Sequence, residues 1–311
     1  MRLRLNAYAK INLFLDVLRR REDGYHDIRS VMQTVSLHDT LTVECTAGDA
    51  IVLSSDAEGL PLGEANLAYR AAVRFLDAAG ITAAVKIHIE KRIPVSAGLA
   101  GGSTDAAAVL VALNRIHGEP FDLDALCAIG KTLGADVPFC IRGGTCEVSG
   151  IGEGLSPLSP MPPLPMVVCK RGEGISTPWA YRRLDELYDN FTGKYEGGTA
   201  ADGVYGALLK ALAENDDAAL AHSLYNVFES AVLPVHPEAC ALRTRLVSLG
   251  ASAALLSGSG PSVFGVFPTL DDARRAADIL NAEAEKEVAF AVLPITGADV
   301  ANSVCITSSI E

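Results

Sequence analysis

The chain has 311 residues, of which 49% are hydrophobic and 21% charged, a balance that excludes a disordered polymer and fits two domains of ordinary size. Its formal net charge of −12 excludes general binding to nucleic acid or anionic membranes, although a local basic cleft can still hold a phosphate. Seven cysteines lie scattered without a C-x-x-C pair, which predicts reduced buried thiols in a cytoplasmic protein and no zinc site. The amino terminus lacks a long apolar core with a small-residue cleavage site, so no secretory signal is expected and the acceptor pattern Asn190-Phe191-Thr192 carries no weight.

Leu3, Leu5, Ala7, Ala9, Ile11, Leu13 and Leu15 alternate with Arg4, Asn6, Tyr8, Lys10, Asn12 and Asp16, with Phe14 as the exception. That two-residue period predicts a half-buried strand or pair of strands. Strands are expected next at 40–45 and 84–90, and helices at 66–79, 103–115 and 123–133. Residues 153–165 hold five of the 15 prolines, which predicts an irregular crossing between domains. Helices then follow near 178–188, 204–214, 218–232 and 237–249, with strands at 166–169, 253–256, 262–267 and 288–293. The uncharged run 246–270 is long enough for a membrane helix, but Gly258-Ser259-Gly260-Pro261 at its centre predicts two buried strands around a turn. The polar stretch 189–203 reads as a mobile loop, and the tail beyond Pro294 has no clear pattern. Strands and helices mix without a regular alternation, so the expected class is α+β. The expected domains are 1–155 and 156–311.

Residues 94–105, Pro94-Val95-Ser96-Ala97-Gly98-Leu99-Ala100-Gly101-Gly102-Ser103-Thr104-Asp105, join a strand to an apolar helix. Gly98, Gly101 and Gly102 permit backbone angles and close approach that a Cβ would block. Ser103 or Thr104 is expected to cap the helix, whose first turn offers free N–H groups and a positive dipole end to an anion. No Lys-Ser/Thr follows, so this is not a Walker A loop, and no G-x-G-x-x-G occurs here or at Gly258 and Gly260. On physical grounds alone it is a phosphate cradle or a structural tight turn.

This loop resembles the second motif of the GHMP kinases. Ala7-Tyr8-Ala9-Lys10-Ile11-Asn12-Leu13 and the segment 256–265 resemble the first and third motifs, in the same order. Within that superfamily the chain resembles the branch that phosphorylates 4-diphosphocytidyl-2-C-methyl-D-erythritol. The residues that carry this are Lys10 with Asn12, Asp23-Gly24-Tyr25-His26, Gly134-Ala135-Asp136-Val137-Pro138-Phe139, Gly150-Ile151-Gly152-Glu153, and Ser176-Thr177-Pro178 with Tyr181. Ser96, Ala100 and Thr104 depart from the pattern, where the family often has Gly or Ala, Gly, and Ser.

The resemblance implies a two-domain fold with the active site between the domains. It implies ATP as co-substrate, with Mg²⁺ accompanying it, and transfer of the γ-phosphate to a 2-hydroxyl in isoprenoid precursor synthesis. By the same resemblance Lys10 and Asp136 are catalytic, and residues 94–104 hold the triphosphate. Asn66, read from the residues as a helix cap, becomes a candidate for adenine contact. Asn12 and Thr177 are implied substrate contacts, Tyr25 and Tyr181 flank a cytosine, and His26 reads its edge. The metal ligands and the oligomeric state have no signal. Without the resemblance, Lys10 reads as a solvated lysine, Asp136 as a turn former before a Val-Pro turn, and Tyr25 as an aromatic cover. Two rival functions stand beside this one. A mevalonate- or homoserine-type kinase has no need of a base-stacking pair, and a ligand-sensing relative without catalysis has no need of Lys10 and Asp136.

Overall fold

The computed structural model describes residues 1–188, 198–283, 287–303 and 305–306. The alternating amino-terminal segment forms one strand, β1 (Arg2–Arg20), which turns back into β2 (His26–Thr46). Phe14 breaks the alternation because the pairing slips: Asn12 faces Met32, but Phe14 faces Val31. The extra residue is a bulge that turns the chain's other face inward. From Ala9 to Val17 every residue is buried, so the polar face of β1 is covered too. Most of β2 was not expected. Ser30, Gln33, Thr34 and Asp39 are buried polar side chains that interrupt its apolar run.

The chain continues through β3 (Ile51–Ser55), α1 (Leu67–Ala79), β4 (Ala84–Glu90), α2 (Gly101–Ile116), α3 (Leu123–Lys131), α4 (Val137–Arg142), β5 (Thr145–Ser149) and β6 (Gly154–Pro157). The first sheet runs β1-β2-β4-β3, with β5 on the far part of β2 and β6 on β5. Phe75 of α1 and Leu110 and Leu113 of α2 pack with Leu41 and Ile87 of the sheet into one core. Three details correct the sequence reading. Ser103 and Thr104 lie inside the first turn of α2, and Ala100, at φ 59°, holds the cap position without a side-chain bond. Val137-Pro138 opens α4 rather than forming a turn, as a proline at a helix start favours. The proline-rich crossing holds a paired strand, β6, near its start, so the irregular run is 158–165.

The second half contains β7 (Met166–Arg171), α5 (Thr177–Leu187), α6 (Gly198–Glu214), α7 (Asp217–His222), β8 (Tyr225–Asn226), α8 (Glu229–Val232), α9 (Pro237–Ser248), β9 (Ala253–Leu256), β10 (Val263–Val266), α10 (Leu270–Glu283), β11 (Glu287–Val292), α11 (Gly297–Asn302) and β12 (Cys305–Ile306). Its sheet is antiparallel in the order β11-β7-β10-β9. The uncharged run 246–270 is thus two strands around a turn, as expected. The helix expected over 218–232 is broken by β8, which pairs parallel to β1 at Phe14 and Leu15. Helix α10 was not expected. Of the stretch read as a loop, 198–203 is already helical; 189–197, with the acceptor pattern, lies outside the described residues. The tail places β12 on the free edge of β1.

Ile11, Leu13, Val31 and Ile93 of the first half pack with Met166, Phe264 and Val266 of the second sheet in a core between the halves. This contact fixes the walls of the cleft described below. Cys45, Cys140, Cys146 and Cys169 are buried, whereas Cys127 is half-buried and Cys240 is exposed, against the expectation of burial for all seven. Burial pushes the Cys45 and Cys146 thiols up to about 11. Among the described residues no helix is long and apolar enough to cross a membrane.

Candidate active site

A cleft of about 690 Å³ brings together Lys10, Asn12, Tyr25, His26, Ser96, Ala97, Gly98, Ala100, Gly101, Gly102, Ser103, Asp136, Thr177 and Tyr181. These residues come from β1, the β1–β2 turn, the glycine-rich loop, the start of α4 and helix α5. Residues remote in sequence therefore form one surface.

At the chemical end, Lys10 is 5% exposed and Asn12 is 1% exposed. Lys10 Nζ donates to Asn12 Oδ1 at 2.8 Å and lies 3.9 Å from Asp136 Oδ2. Asn12 Nδ2 donates to Ser30 Oγ at 2.9 Å, and Ser30 Oγ donates to the Phe14 carbonyl at 2.6 Å. A buried ammonium held in this way has few ways to reorient. The Asp136 side chain, 31% exposed, faces the open cleft.

The loop is tied down on both sides. The Lys10 amide donates to the Leu99 carbonyl at 3.2 Å, and Thr104 Oγ1 donates to the Tyr8 carbonyl at 2.7 Å. Gly98 sits at φ +73°, and a Cβ there would lie 2.5 Å from the Ser257 carbonyl oxygen. Only glycine lets the second motif approach the third so closely. Ser96 and Ala100 also have positive φ, at 53° and 59°. These are two of the places where the chain departs from the motif, and both backbones keep the left-handed conformation that glycine favours. Gly101 behaves differently from expectation. Its Cβ direction points inward, 3.1 Å from Ile93 Cγ2 and from Lys91 Nζ, not toward the cleft. Gly101, Gly102 and Ser103, the first turn of α2, line the cleft, and a helix start of this kind suits an anion.

At the other end, Tyr25 is 60% exposed. His26 stacks on Tyr181 with ring centroids 4.6 Å apart, and Tyr181 meets Phe228 edge-on at 4.9 Å. His26 Nε2 lies 2.8 Å from Asp185 Oδ1. Burial raises the Tyr181 phenol well above its ordinary value, with Asp136 adding to the effect. Thr177 Oγ1 lies 3.0 Å from Ser259 Oγ, which joins α5 to the third motif.

Five nucleotide candidates lie outside this cleft. Leu99 and Thr104 are buried beneath the loop. Pro94, Val95 and Asn66 line a smaller recess of about 170 Å³ that shares Ser96, Gly101 and Gly102 with the cleft wall. Asn66 caps α1, accepting from the Ala68 amide at 2.9 Å and donating to the Pro61 carbonyl at 2.8 Å.

The GHMP kinases N terminal domain model matches residues 66–144, and the GHMP kinases C terminal model matches 208–286. The 4-diphosphocytidyl-2-C-methyl-D-erythritol kinase of Symbiobacterium thermophilum is 47% identical over 266 residues, which are 86% of this chain and 91% of that protein. This chain belongs to the 4-diphosphocytidyl-2-C-methyl-D-erythritol kinases of the GHMP superfamily. The enzyme of the same name from Caldicellulosiruptor saccharolyticus is 41% identical over 277 residues, 89% of this chain and 92% of the relative. A crystal structure of a 4-(cytidine 5'-diphospho)-2C-methyl-D-erythritol kinase superposes with TM-score 0.76 at 39% identity, covering 94% of this chain and 98% of that one. A homoserine kinase from Cytophaga hutchinsonii reaches the same TM-score of 0.76 at 20% identity, covering 95% and 96%. That second likeness shows a common fold only.

In this member of the kinase family, several residues in the cleft and one behind it escaped the sequence reading. Arg20, Arg182 and Asp185 bring charge to the aromatic end. Asn226, inside the expected helix 218–232, donates to the Leu256 and Gly258 carbonyls at 2.7 and 2.8 Å and so fixes the third motif. A lone Asn inside an apparently helical stretch gave no signal of this.

Proposed function

We infer that this chain transfers the γ-phosphate of ATP to the 2-hydroxyl of 4-diphosphocytidyl-2-C-methyl-D-erythritol, a step of isoprenoid precursor synthesis outside the mevalonate route. The observation that carries the reading is that one cleft holds the glycine-rich loop, the Lys10–Asn12–Asp136 cluster and the aromatic group Tyr25, His26 and Tyr181. A helix start suits the triphosphate, and a carboxylate beside a fixed ammonium suits an attacking hydroxyl. Aromatic faces suit a pyrimidine.

In this reading Asp136 accepts and orients the hydroxyl proton. Lys10 fixes the geometry and offsets negative charge as the oxygen meets phosphorus. Phosphoryl transfer has a loose transition state, so a weak base suffices. The loop amides and Ser103 hold the triphosphate. Mg²⁺ enters with the nucleotide as part of the substrate. The Ser103 hydroxyl and the Asp136 carboxylate on the cleft wall would be the protein's oxygen donors to it, and the ion would offset phosphate charge. Tyr25 and Tyr181 bracket the cytosine, His26 reads its edge, and Asn12 and Thr177 complete the substrate contacts. Pro94, Val95 and Asn66 face the base end of ATP. The first half, 1–155, supplies the loop and the chemical pair, and the second half, 156–311, closes the cleft in the cytoplasmic enzyme.

The test is incubation with ATP and, separately, the cytidine substrate, mevalonate and homoserine, with ADP as the readout. ADP formed only with the cytidine substrate supports the reading. Turnover of mevalonate or homoserine instead overturns it.

A further inference from the structure

Beneath the glycine-rich loop lies a charged cluster that the chemistry above does not use. Lys91 Nζ bridges two buried carboxylates, pairing with Asp39 and, at 2.8 Å, with Asp105 Oδ2. Asp39 is 0% exposed and Asp105 is 2% exposed. Asp39 Oδ1 also accepts the amides of Arg92 and Ile93 at 2.6 and 2.8 Å. Three features of this cluster set its role.

The first is its position. Lys91, Arg92 and Ile93 are the last residues before the segment 94–105, and Asp105, in the first turns of α2, is its last residue. The second is the cost of burial. A buried ammonium and two carboxylates are strongly desolvated, and hydrophobic residues of similar size are often no less stable there. The third is contact. A Cβ at Gly101, the first residue of α2, would lie 3.1 Å from Lys91 Nζ. The ammonium therefore sits directly under the turn that faces the cleft.

We propose that Asp39, Lys91 and Asp105 form a positioning clamp that holds both ends of the nucleotide loop in register, so that its amides meet the triphosphate of ATP together. The entry end is held by Asp39 through two amides and through Lys91. The exit end is held by Lys91 through Asp105. Lys91 and Asp105 also line the recess assigned above to the base end of ATP, so the clamp stands beside the nucleotide but away from the reacting atoms, and it acts through the loop. The proposal rests on the reading that this loop holds ATP.

The experiment uses the full-length enzyme and compares Asp105→Ala with Asp105→Asn. Alanine releases the exit end from Lys91. Asparagine keeps an oxygen for the ammonium and an N–H for Asp39. Loss of one charged hydrogen bond from a preorganised site is expected to weaken ATP about tenfold or more. Calorimetric ATP affinity and KM for ATP should shift together in Asp105→Ala. The KM for the cytidine substrate should stay within about twofold, since nothing at that end has moved. Asp105→Asn should recover most of the ATP affinity. If Asp105→Ala does not fold, Asp105→Ser, whose hydroxyl is too short to reach Lys91, carries the same expectation. Unchanged ATP affinity in a folded, less stable variant would mean that the cluster is only structural. An equal loss for both substrates would also overturn the clamp. Ser103→Asp separates the underlying reading: if it too leaves ATP binding intact, the loop is not the nucleotide site. If it abolishes binding while Asp105→Ala does not, only the clamp is wrong.

Discussion

Lys10 is bonded to Asn12 more closely than it is paired with Asp136, at 2.8 Å against 3.9 Å. Asn12 is itself fixed by Ser30, so the ammonium is positioned from within the first sheet. The Asp136 carboxylate is therefore not locked in a contact ion pair. It stays open to the cleft while it remains in the field of the lysine.

Loss of either residue should therefore damage one shared device. Asp136→Ala should lower the rate of phosphate transfer by roughly 10²–10⁴-fold, the range for a positioned proton acceptor. Lys10→Ala should also be severe, and the double variant should lose far less than the product of the two. Single-turnover measurements on all three, with ATP binding followed separately, decide the matter. Multiplicative losses would show that the two act independently. A near-normal rate in Asp136→Ala would remove the carboxylate from the mechanism.

Ser103 is the third residue of α2 and lines the cleft. An acid in a first helical turn is stabilising by about 0.3–1 kcal/mol. The same charge repels a triphosphate. Ser103→Asp should keep or slightly raise the stability of the protein and lower its ATP affinity by at least about tenfold, one step of 1.4 kcal/mol. Urea denaturation and calorimetric titration give the two quantities. A variant that binds ATP as the parent does would show that the loop faces something else.

The parts of this fold legible in the sequence are those where one physical signal acts alone. The alternation of β1 gave a strand, and Gly258 to Pro261 gave the turn between β9 and β10. Asn66 gave a cap that the structure places on α1. Where signals compete, the reading failed. In β2, Asp39 and Gln33 stand where a buried strand would carry apolar residues, because each answers buried polar groups: Asp39 binds Lys91 and two amides, and Gln33 binds the Thr34 and Ile295 carbonyls. Helical spacing over 218–232 hid Asn226, whose Nδ2 acceptors lie 30 and 32 residues away. The candidate residues for chemistry came from motif resemblance. Their union in one cleft depends on pairings such as β1 with β8, and no local pattern encodes those.

The two tyrosines should separate binding from stability. Tyr25 is 60% exposed, whereas Tyr181 packs between His26 and Phe228. Tyr25→Ala should weaken the cytidine substrate by about 1–3 kcal/mol if it stacks on the base. It should leave stability within about 0.5 kcal/mol, as for other exposed sites. Tyr181→Ala should weaken the same substrate and also lower the melting temperature, since it opens a gap beside Phe228. ATP affinity should hold in both. Parent-like affinity for the cytidine substrate in both variants would refute the stacking assignment and reopen the choice among superfamily kinases.

Asp105 should leave a mark on the stability of the protein as pH changes. Its carboxyl is pushed up from an ordinary value of 3.8 to about 7, first by burial and then by the charge of Asp39, against the pull of Lys91. Between those two values the folded protein holds a proton that the unfolded chain has released. Stability from this group therefore falls as pH rises from about 4 to about 7, and the loss is complete above that window. Its slope cannot exceed the value for one proton, about 1.4 kcal/mol per pH unit. Lys91 is also raised, so it titrates above 10.5 and contributes nothing here. Burial likewise carries the nearby Cys140 thiol far above the window. Asp23, held low by the Arg21 guanidinium and then by the Tyr25 amide, acts below this range. Asp105→Asn has no proton to lose at this position and can keep the bond to Lys91. The stability of the parent relative to this variant should then decline across pH 4.5–7 and level off above about 8. Urea denaturation of both proteins at half-unit steps measures that difference. Parallel profiles would show that Asp105 is ionised throughout and that the Lys91 cluster carries both negative charges at neutral pH.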